Sequence, residues 1–134
     1  MDGNRLEQAR EVFGADRYAA LTGITIEYVG DHEAVCELML DERHRNARGV
    51  AMGGVIFTLA DFAAAVAANA PAADLHWVSL DSSIHFLSPA TGDLLTATCR
   101  ALKLGRSTAL YQTIIESPDH SKQVAVVETT MIHV

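Results

Sequence analysis

The chain has 134 residues, of which 49% are hydrophobic and 20% are charged. This size and composition are those of one globular domain that can bury a core without disulfides or a structural metal. Ten lysines and arginines against seventeen aspartates and glutamates give a formal net charge of −7, which argues against a general binder of nucleic acid or of anionic membranes.

The first fifty residues predict a helix and then a hairpin of two strands. Residues 3–17 carry apolar side chains at helical spacing, and we assign residues 1–20 to an N-terminal helical segment that precedes a main domain of residues 21–134. The charged start has no apolar core, so it does not resemble a signal peptide. Alternating polarity and the turn Gly30-Asp31 predict two strands and a following loop, over residues 21–29, 34–40 and 41–52.

One long apolar helix is the central feature of the sequence. Residues 55–70 contain a single charge, that of Asp61, and they follow the pair Gly53-Gly54. Such a helix should be buried on all sides, and an ionised carboxylate inside it is costly unless it is paired or used. Asp61 is therefore either a hydrogen-bonded structural carboxylate or, in the interpretation we favour, a functional group. The central charge and the alanine-rich composition argue against a membrane span.

Four further strands complete the chain. They are predicted over residues 76–86, 94–104, 107–116 and 123–133, with turn residues between them. A helix that is apolar on all sides needs a wrapping partner, and a strongly curved antiparallel sheet supplies one. The sequence thus predicts an α+β fold, whereas the pairing of the strands does not follow from it.

The spacing of Gly53 and Asp61 suggests a second copy of the chain. Glycine at a helix start lets a ligand approach the backbone, and the free N–H groups there attract negative charge. A glycine that is needed only for chain packing fits the pattern equally well. Asp61 lies eight residues, or about 12 Å, further along the helix. Because reacting groups must meet within roughly 3–3.5 Å, both can act on one carbonyl only if Asp61 comes from another subunit. This predicts a homodimer with shared sites.

Other residues offer weaker indications of chemistry. Asn46 presents a neutral amide, although a turn residue is its commoner role. Six histidines show no metal-ligand spacing, and Cys36 and Cys99 lie in separate apolar runs, so we predict no metal site and two free buried thiols in a reducing compartment. No P-loop, dinucleotide fingerprint or nucleophile-elbow serine is present. Residues 103–108 could hold a phosphate, although a solvated hairpin turn is the commoner interpretation.

A family resemblance joins these features. The spacing N-x2-G-x2-[H/M]-G-G-x6-A-D resembles that of the hotdog-fold acyl-CoA thioesterases, in the branch of the phenylacetate-pathway thioesterases and mammalian thioesterase-superfamily member 2. It is formed here by Asn46, Gly49, Met52, Gly53, Gly54, Ala60 and Asp61. The resemblance continues through the segments VSLD, FLSPA, GD and LGRS at residues 78–81, 86–90, 92–93 and 104–107, and it covers residues 21–134.

The resemblance implies a fold, an assembly and a reaction. The fold would be the α+β hotdog fold, a long central helix wrapped by a curved antiparallel sheet. Two subunits would join their sheets into a homodimer with shared active sites, and two dimers would form a tetramer. The activity would be hydrolysis of an acyl- or aryl-acyl-CoA in the cytoplasm, with coenzyme A as part of the substrate and no other cofactor.

The resemblance also implies roles for individual residues. The Gly53 N–H would polarise the thioester carbonyl, and Asp61 of the partner subunit would act as general base or as nucleophile. Asn46 would orient the carboxylate or the substrate, and Ser79 would help to hold the water. The substrate and its coenzyme A portion would be contacted by Met52, Gly54, Phe86, Leu87, Ser88, Pro89, Lys103, Gly105, Arg106 and Ser107, with a second group of cations at Arg43, Arg45 and Arg48.

Two departures from the family pattern and two competing functions accompany this hypothesis. Met52 stands where the family usually has histidine, and Ala65 stands where threonine or serine is common, so a hydrogen-bonding group beside the carbonyl site is lost. A hotdog dehydratase would need a histidine paired with a carboxylate, which the chain does not present. A non-catalytic acyl-CoA sensor or carrier is the alternative, and binding without turnover would favour it.

Overall fold

The computed structural model describes residues 2–134 as three helices packed on one antiparallel sheet. The helices are α1 (Asp2–Phe13), α2 (Arg17–Thr22) and α3 (Gly53–Asn69), with a 3₁₀ turn at Glu42–His44. The strands are β1 (Ile24–Gly30), β2 (Glu33–Met39), β3 (Trp77–Phe86), β4 (Leu94–Leu104), β5 (Thr108–Glu116) and β6 (Gln123–His133). They lie in the order β1-β2-β4-β5-β6-β3, so β1 and β3 form the two edges.

The core lies between α3 and one face of this sheet. α3 contacts all six strands, and alternate residues of β4 and β5 point toward it, including Leu95, Cys99 and Tyr111, each at most 2% exposed. Small side chains on α3, such as Ala60 and Ala63, are fully buried and let the helix lie close to the strands. The predicted α+β hotdog fold is confirmed.

The N-terminal part differs from the prediction. The strand expected from residue 21 begins at Ile24 because residues 17–22 form α2. The Asp16 carboxylate caps α2 by accepting the Ala19 N–H at 2.9 Å, and Gly23 ends it in the left-handed conformation at φ +98°. The helix expected to reach residue 17 ends at Phe13.

A bulge changes which side chains of β1 are buried. The register shifts between Ile26 and Tyr28, so Tyr28 does not lie on the buried face with Ile26, as strict alternation would predict. Tyr28 is 42% exposed, whereas Val29 is 1% exposed. The Arg10 guanidinium of α1 donates two hydrogen bonds to the Ile26 carbonyl at this point, at 3.0 and 2.7 Å, which ties the helix to the bulge.

α3 is not buried on all sides within one chain, so that expectation is wrong for the single subunit. A stripe of residues spaced three or four apart stays partly exposed, formed by Gly54, Thr58, Asp61 and Ala65. Beside it, the edge strand β3 exposes Val78 and Leu80, by 42% and 61%. We refer to these four helix residues together with the edge strand β3 as the open face. The sheet covers one side of the helix and Phe13 of α1 packs against Phe62, but this stripe is left partly exposed within residues 2–134.

The two cysteines are free and buried on neighbouring strands. Burial raises the pKa of the Cys36 thiol and raises that of Cys99 to about 11, which makes both thiols poor nucleophiles. Within the described residues, no helix is both long and apolar enough to cross a membrane.

Candidate active site

Asp61 and Ser79 are brought together on the open face. Asp61 projects from the middle of α3, and Ser79 lies near the start of the edge strand β3, next to a bulge in its pairing with β6. The Ser79 hydroxyl donates to Asp61 Oδ1 across 3.2 Å. No ion pair within residues 2–134 involves this carboxylate. It is therefore held by a neutral donor and stays open on one side.

The surroundings of Asp61 make it a stronger base than an ordinary aspartate. Partial burial raises its pKa, the Ser79 hydrogen bond opposes the rise, and the negative charge of Asp16 adds to it. Because the group is only partly buried, it can still reach water. A carboxylate with a raised pKa and access to water suits general-base chemistry.

The start of α3 offers unpaired backbone donors. Met52 is the N-cap residue and its side chain makes no capping hydrogen bond. In the part of the chain that the structure describes, the N–H groups of Gly53 and Gly54 have no hydrogen-bond partner. Together with the helix dipole, these donors favour a negatively charged or strongly polarised oxygen at this end of α3.

A neighbouring ring leaves little room for a side chain at position 53. A Cβ atom added there would lie 3.0 Å from Cζ of Phe86, which is closer than such contacts normally allow. At Gly54 the nearest atom would be Cγ of Met52 at 3.9 Å. The two glycines therefore differ: the first accommodates Phe86, whereas the second leaves the helix start open.

A groove of about 390 Å³ lies at this helix start, and we call it the Gly53 groove. One wall is the loop before α3 and the other is the segment that follows β3. Its lining is formed by Asn46, Val50, Ala51, Gly53, Ile56, Phe86, Leu87, Ser88, Pro89 and Ala90. The structure thus brings together most of the predicted site residues of the loop, the helix start and the segment 86–89.

Asn46 has a structural contact and a free donor. Its side-chain oxygen accepts the N–H groups of Arg48 and Val50, at 2.9 and 3.4 Å, and this closes the loop around Gly49, whose φ is +81°. No partner within residues 2–134 is seen for its side-chain NH₂ group, and the residue lines the Gly53 groove. The oxygen is therefore used by the fold, and the amide donors remain for a ligand.

Two of the three loop arginines are held by carboxylates. Arg43 forms a two-pronged pair with Asp41 and also donates to the Leu21 carbonyl, and this contact lowers the pKa of Asp41 to about 2. Arg45 lies 3.5 Å from Asp93. The expected second cluster of phosphate-binding cations is thus reduced by internal ion pairs.

The turn at residues 103–107 lies far from the Gly53 groove in the same chain. The Ser107 carbonyl accepts the His133 N–H, and His133 pairs with Trp77 at the start of β3. Phe86 ends that strand nine residues later, about 30 Å away at 3.3 Å per residue. One chain therefore does not bring Lys103, Gly105, Arg106 and Ser107 to the groove. Nor does it bring Asp61 there.

A second groove was not predicted from the sequence. It has a volume of about 440 Å³ and lies between α2 and the start of α3; we call it the α2 groove. Its lining is formed by Tyr18, Leu21, Thr22, Arg43, His44, Met52, Gly54 and Val55. The available signal was the pair of apolar side chains three residues apart, Tyr18 and Leu21, which the sequence analysis divided between the N-terminal segment and the first strand.

The described residues contain no group of three or more histidine, cysteine, aspartate or glutamate side chains that could hold a metal ion. The expectation of a metal-free site stays a prediction.

Comparisons with known proteins identify the family. A model of the thioesterase superfamily matches residues 48–132. Acyl-coenzyme A thioesterase PaaI of Escherichia coli K12 is 32% identical over 106 residues, which cover 78% of this chain and 74% of that protein. Acyl-coenzyme A thioesterase 13 of Mus musculus is 28% identical over 116 residues, covering 86% and 81%.

The solved structure of the E. coli PaaI protein from the phenylacetic acid degradation operon superposes with a TM-score of 0.90 and 27% identity, covering 100% of this chain and 96% of that one. The resemblance seen in the motifs and the expectation of a thioester hydrolase are confirmed at the level of the family. The chain belongs to the thioesterase superfamily.

Proposed function

We propose that the protein hydrolyses an acyl-CoA thioester to the free acid and coenzyme A, at sites shared between two chains. The observation that carries the proposal is that the oxyanion donor and the basic carboxylate lie apart in one chain. The unpaired N–H of Gly53 lies at the start of α3, and the basic carboxylate of Asp61 lies about 12 Å further along the same helix. The names of the relatives, which are acyl-CoA thioesterases, support the substrate class.

The open face provides the surface for the second chain. It combines an uncovered stripe of α3 with the uncovered edge of β3, and the hydrogen bond between Asp61 and Ser79 links the two. In an isologous contact the same face serves both subunits. Two β3 edges would pair antiparallel and two α3 helices would lie side by side in opposite directions. Gly53 of each chain would then approach Asp61 of the partner subunit.

The same symmetry would complete the coenzyme A site. Antiparallel pairing of two β3 strands places the start of one beside the end of the other. The turn that contains Lys103 and Arg106 lies at the sheet end where β3 starts. Phe86 and the Gly53 groove lie at the other end. The proposed path runs along Phe86–Pro89 toward Lys103 and Arg106 of the partner subunit, whose charges suit the phosphates.

The reaction uses each group at a stated atom. The thioester oxygen would accept the Gly53 N–H and the side-chain NH₂ of Asn46, which favour the negative charge that develops on it. Asp61 of the partner subunit would take a proton from water, and the water oxygen would bond to the carbonyl carbon. The carbon–sulfur bond then breaks, and the thiolate of coenzyme A receives a proton. In the alternative route the Asp61 carboxylate bonds to the carbonyl carbon and displaces the thiolate, and water then hydrolyses the resulting anhydride to the free acid and restores the carboxylate.

Ser79 would act as a positioning residue for the carboxylate. Its hydroxyl fixes one oxygen of Asp61, which leaves the other free for the water. A fixed orientation matters because a base must meet the proton that it accepts within hydrogen-bond distance.

Thiol release from a panel of acyl-CoAs tests the proposal, with light scattering to measure the mass of the assembly. The chain mass is 14.4 kDa, so a dimer would have a mass of about 29 kDa and the proposed dimer of dimers about 58 kDa. Turnover that depends on Asp61 is the expected result. Binding of acyl-CoA without turnover would favour the alternative, a non-catalytic sensor or carrier.

The free buried cysteines suit a reducing compartment, and we propose the cytoplasm as the place of the reaction.

A further inference from the structure

The α2 groove has apolar walls that the fold leaves exposed. Tyr18, Leu21 and Met52 line it and are 64%, 68% and 55% exposed. Three large apolar side chains directed at one concave surface are costly in water unless something covers them.

The polar side chains of this groove are occupied by the fold. Both ring nitrogens of His44 are used, since Nδ1 accepts the Asp41 N–H at 2.9 Å and Nε2 donates to the Thr22 carbonyl at 2.7 Å. The Thr22 hydroxyl donates to the Tyr18 carbonyl at 2.8 Å. Within the described residues, the Tyr18 hydroxyl is the one side-chain polar group of the lining without a partner.

The groove also carries no free charge. The guanidinium of Arg43 is held by the Asp41 carboxylate through three contacts between 2.9 and 3.2 Å. The two charges balance each other. Because the pKa of Asp41 is low, about 2, its carboxylate stays ionised at neutral pH and the pair stays neutral. Among the lining residues, a ligand group with its own charge would find no unpaired charged side chain.

We propose that the α2 groove binds the acyl group of the thioester and selects uncharged hydrocarbon chains. This rests on the proposed thioesterase function. Two grooves meet the start of α3, one at Gly53 and one at Gly54, and a thioester has two arms. The Gly53 groove contains the free amide of Asn46 and suits the polar arm of coenzyme A. The apolar α2 groove suits the acyl arm.

The size of the α2 groove agrees with this assignment. Its volume of about 440 Å³ equals that of about 15 water molecules at roughly 30 Å³ each, which is more than a chain of about eight carbons needs. Transfer of one methylene from water into an apolar site favours binding by about four-fold. Helix α2, most of which the sequence analysis placed outside the main domain, thereby becomes the element that sets the acyl preference.

The test compares straight-chain acyl-CoAs from four to eight carbons with wild type and Leu21→Ser. Leu21 is exposed and its carbonyl and N–H are unaffected, so the fold should be kept. Wild-type kcat/KM should rise by about four-fold for each methylene. In Leu21→Ser the ratio of the eight-carbon to the four-carbon value should fall by about ten-fold. Leu75→Ser, at an exposed leucine beyond the other end of α3, is the matched control.

A charged chain provides the second arm of the test. Wild type should hydrolyse a six-carbon acyl-CoA at least about ten-fold faster than the same chain ending in a carboxylate, because burying an unpaired charge is costly. Asp41→Asn keeps an oxygen that can cap the 3₁₀ turn but frees the charge of Arg43. In Asp41→Asn, the ratio of the rate for the uncharged chain to the rate for the charged chain should therefore be several-fold smaller than in wild type.

The outcomes separate this inference from the function on which it rests. If wild type hydrolyses none of the acyl-CoAs, the proposed function fails. If wild type is active but Leu21→Ser keeps the same dependence on chain length, the α2 groove does not bind the acyl group. A change in molecular mass of Leu21→Ser would show that the groove is covered by a second copy of the chain, which would also overturn the inference.

Discussion

Replacing Asp61 by Asn separates the chemistry of the carboxylate from its packing. The amide is nearly isosteric, and its oxygen can still accept the Ser79 hydrogen bond, which spans 3.2 Å. It cannot accept a proton from water at neutral pH. Loss of a general base costs about 10²–10⁴-fold in rate, so we expect kcat to fall by at least about 10²-fold.

The same change should not destabilise the protein at neutral pH. Burial raises the pKa of Asp61, so the folded protein binds this proton more tightly than the unfolded chain does. That contribution to stability is complete below the unfolded-state pKa of about 3.9 and is lost as the pH rises through the raised folded-state value. Above that value, the free energy of unfolding of Asp61→Asn should equal or exceed that of wild type, and the difference should narrow as the pH falls.

The assay combines thiol release with urea unfolding, over a pH range that brackets the raised pKa. Wild-type kcat should fall on the acid side with a midpoint above the ordinary aspartate range, because only the ionised form accepts a proton. Ser79→Ala removes the contact that lowers the pKa of Asp61, so its acid limb should move to higher pH. Unchanged turnover in a folded Asp61→Asn protein would refute the role. An equal loss of stability at every pH would show that the carboxylate is structural.

Three other results are expected. Mixed dimers of Asp61→Asn and Gly53→Pro chains should regain activity, since one of their two sites keeps both an intact Gly53 and an intact Asp61. The proline should be tolerated, because the extended backbone of Met52 (ψ 137°) accommodates a following proline. Stable heterodimers without recovered activity would contradict a shared site. Gly53→Ala keeps the N–H but adds a Cβ 3.0 Å from Phe86 Cζ, so it should lose less activity than Gly53→Pro. Equal losses in the two variants would exclude a role for the N–H in the reaction. Arg106→Ala should raise KM with little change in kcat, and less so at high salt. It should spare a thioester that lacks the nucleotide, and an equal loss there would show that the turn is structural.

The sequence predicted the elements of the fold because their signals are local. Sixteen nearly uncharged residues define α3, and alternating polarity defines the strands. The sheet order was not accessible, since the pairing of β3 with β6 joins residues that are between 39 (Phe86 with Ala125) and 56 (Trp77 with His133) positions apart. No local pattern encodes such packing. Helix α2 was missed because six residues are too few for a periodic signal. Its cap at Asp16 and its end at Gly23 are what define it.

The site was predictable where composition itself was unusual. A lone carboxylate in an apolar helix and a glycine pair at its start singled out Asp61 and Gly53. Ser79 came only from the family resemblance, because a serine on an exposed strand carries no signal of its own. The internal pairing of Arg45 with Asp93 joins residues 48 positions apart, so no reading of the loop alone could show that this cation is occupied.

Asn46 combines two roles that substitution can separate. Its side-chain oxygen accepts two loop N–H groups, and its NH₂ group is proposed to donate to the thioester oxygen. Asn46→Asp keeps the acceptor and removes the donors, so stability should stay within about 0.5 kcal/mol while kcat falls by about 10²-fold, the cost of one lost oxyanion donor. Asn46→Ala removes both, and it should also lose about 1–2 kcal/mol of stability for the two hydrogen bonds.

The charge that Asp introduces has to be distinguished from the loss of the donor. Asn46→Ser is neutral, and its hydroxyl can accept a loop N–H more weakly, so it removes the amide donors without adding charge. Slow turnover in both Asn46→Asp and Asn46→Ser, measured by thiol release on protein of confirmed stability, is expected if the NH₂ group serves the reaction. Full activity in Asn46→Ser would mean that the added charge alone slows Asn46→Asp. Asn46 would then be a turn residue that closes the loop around Gly49 and contributes nothing further to the chemistry.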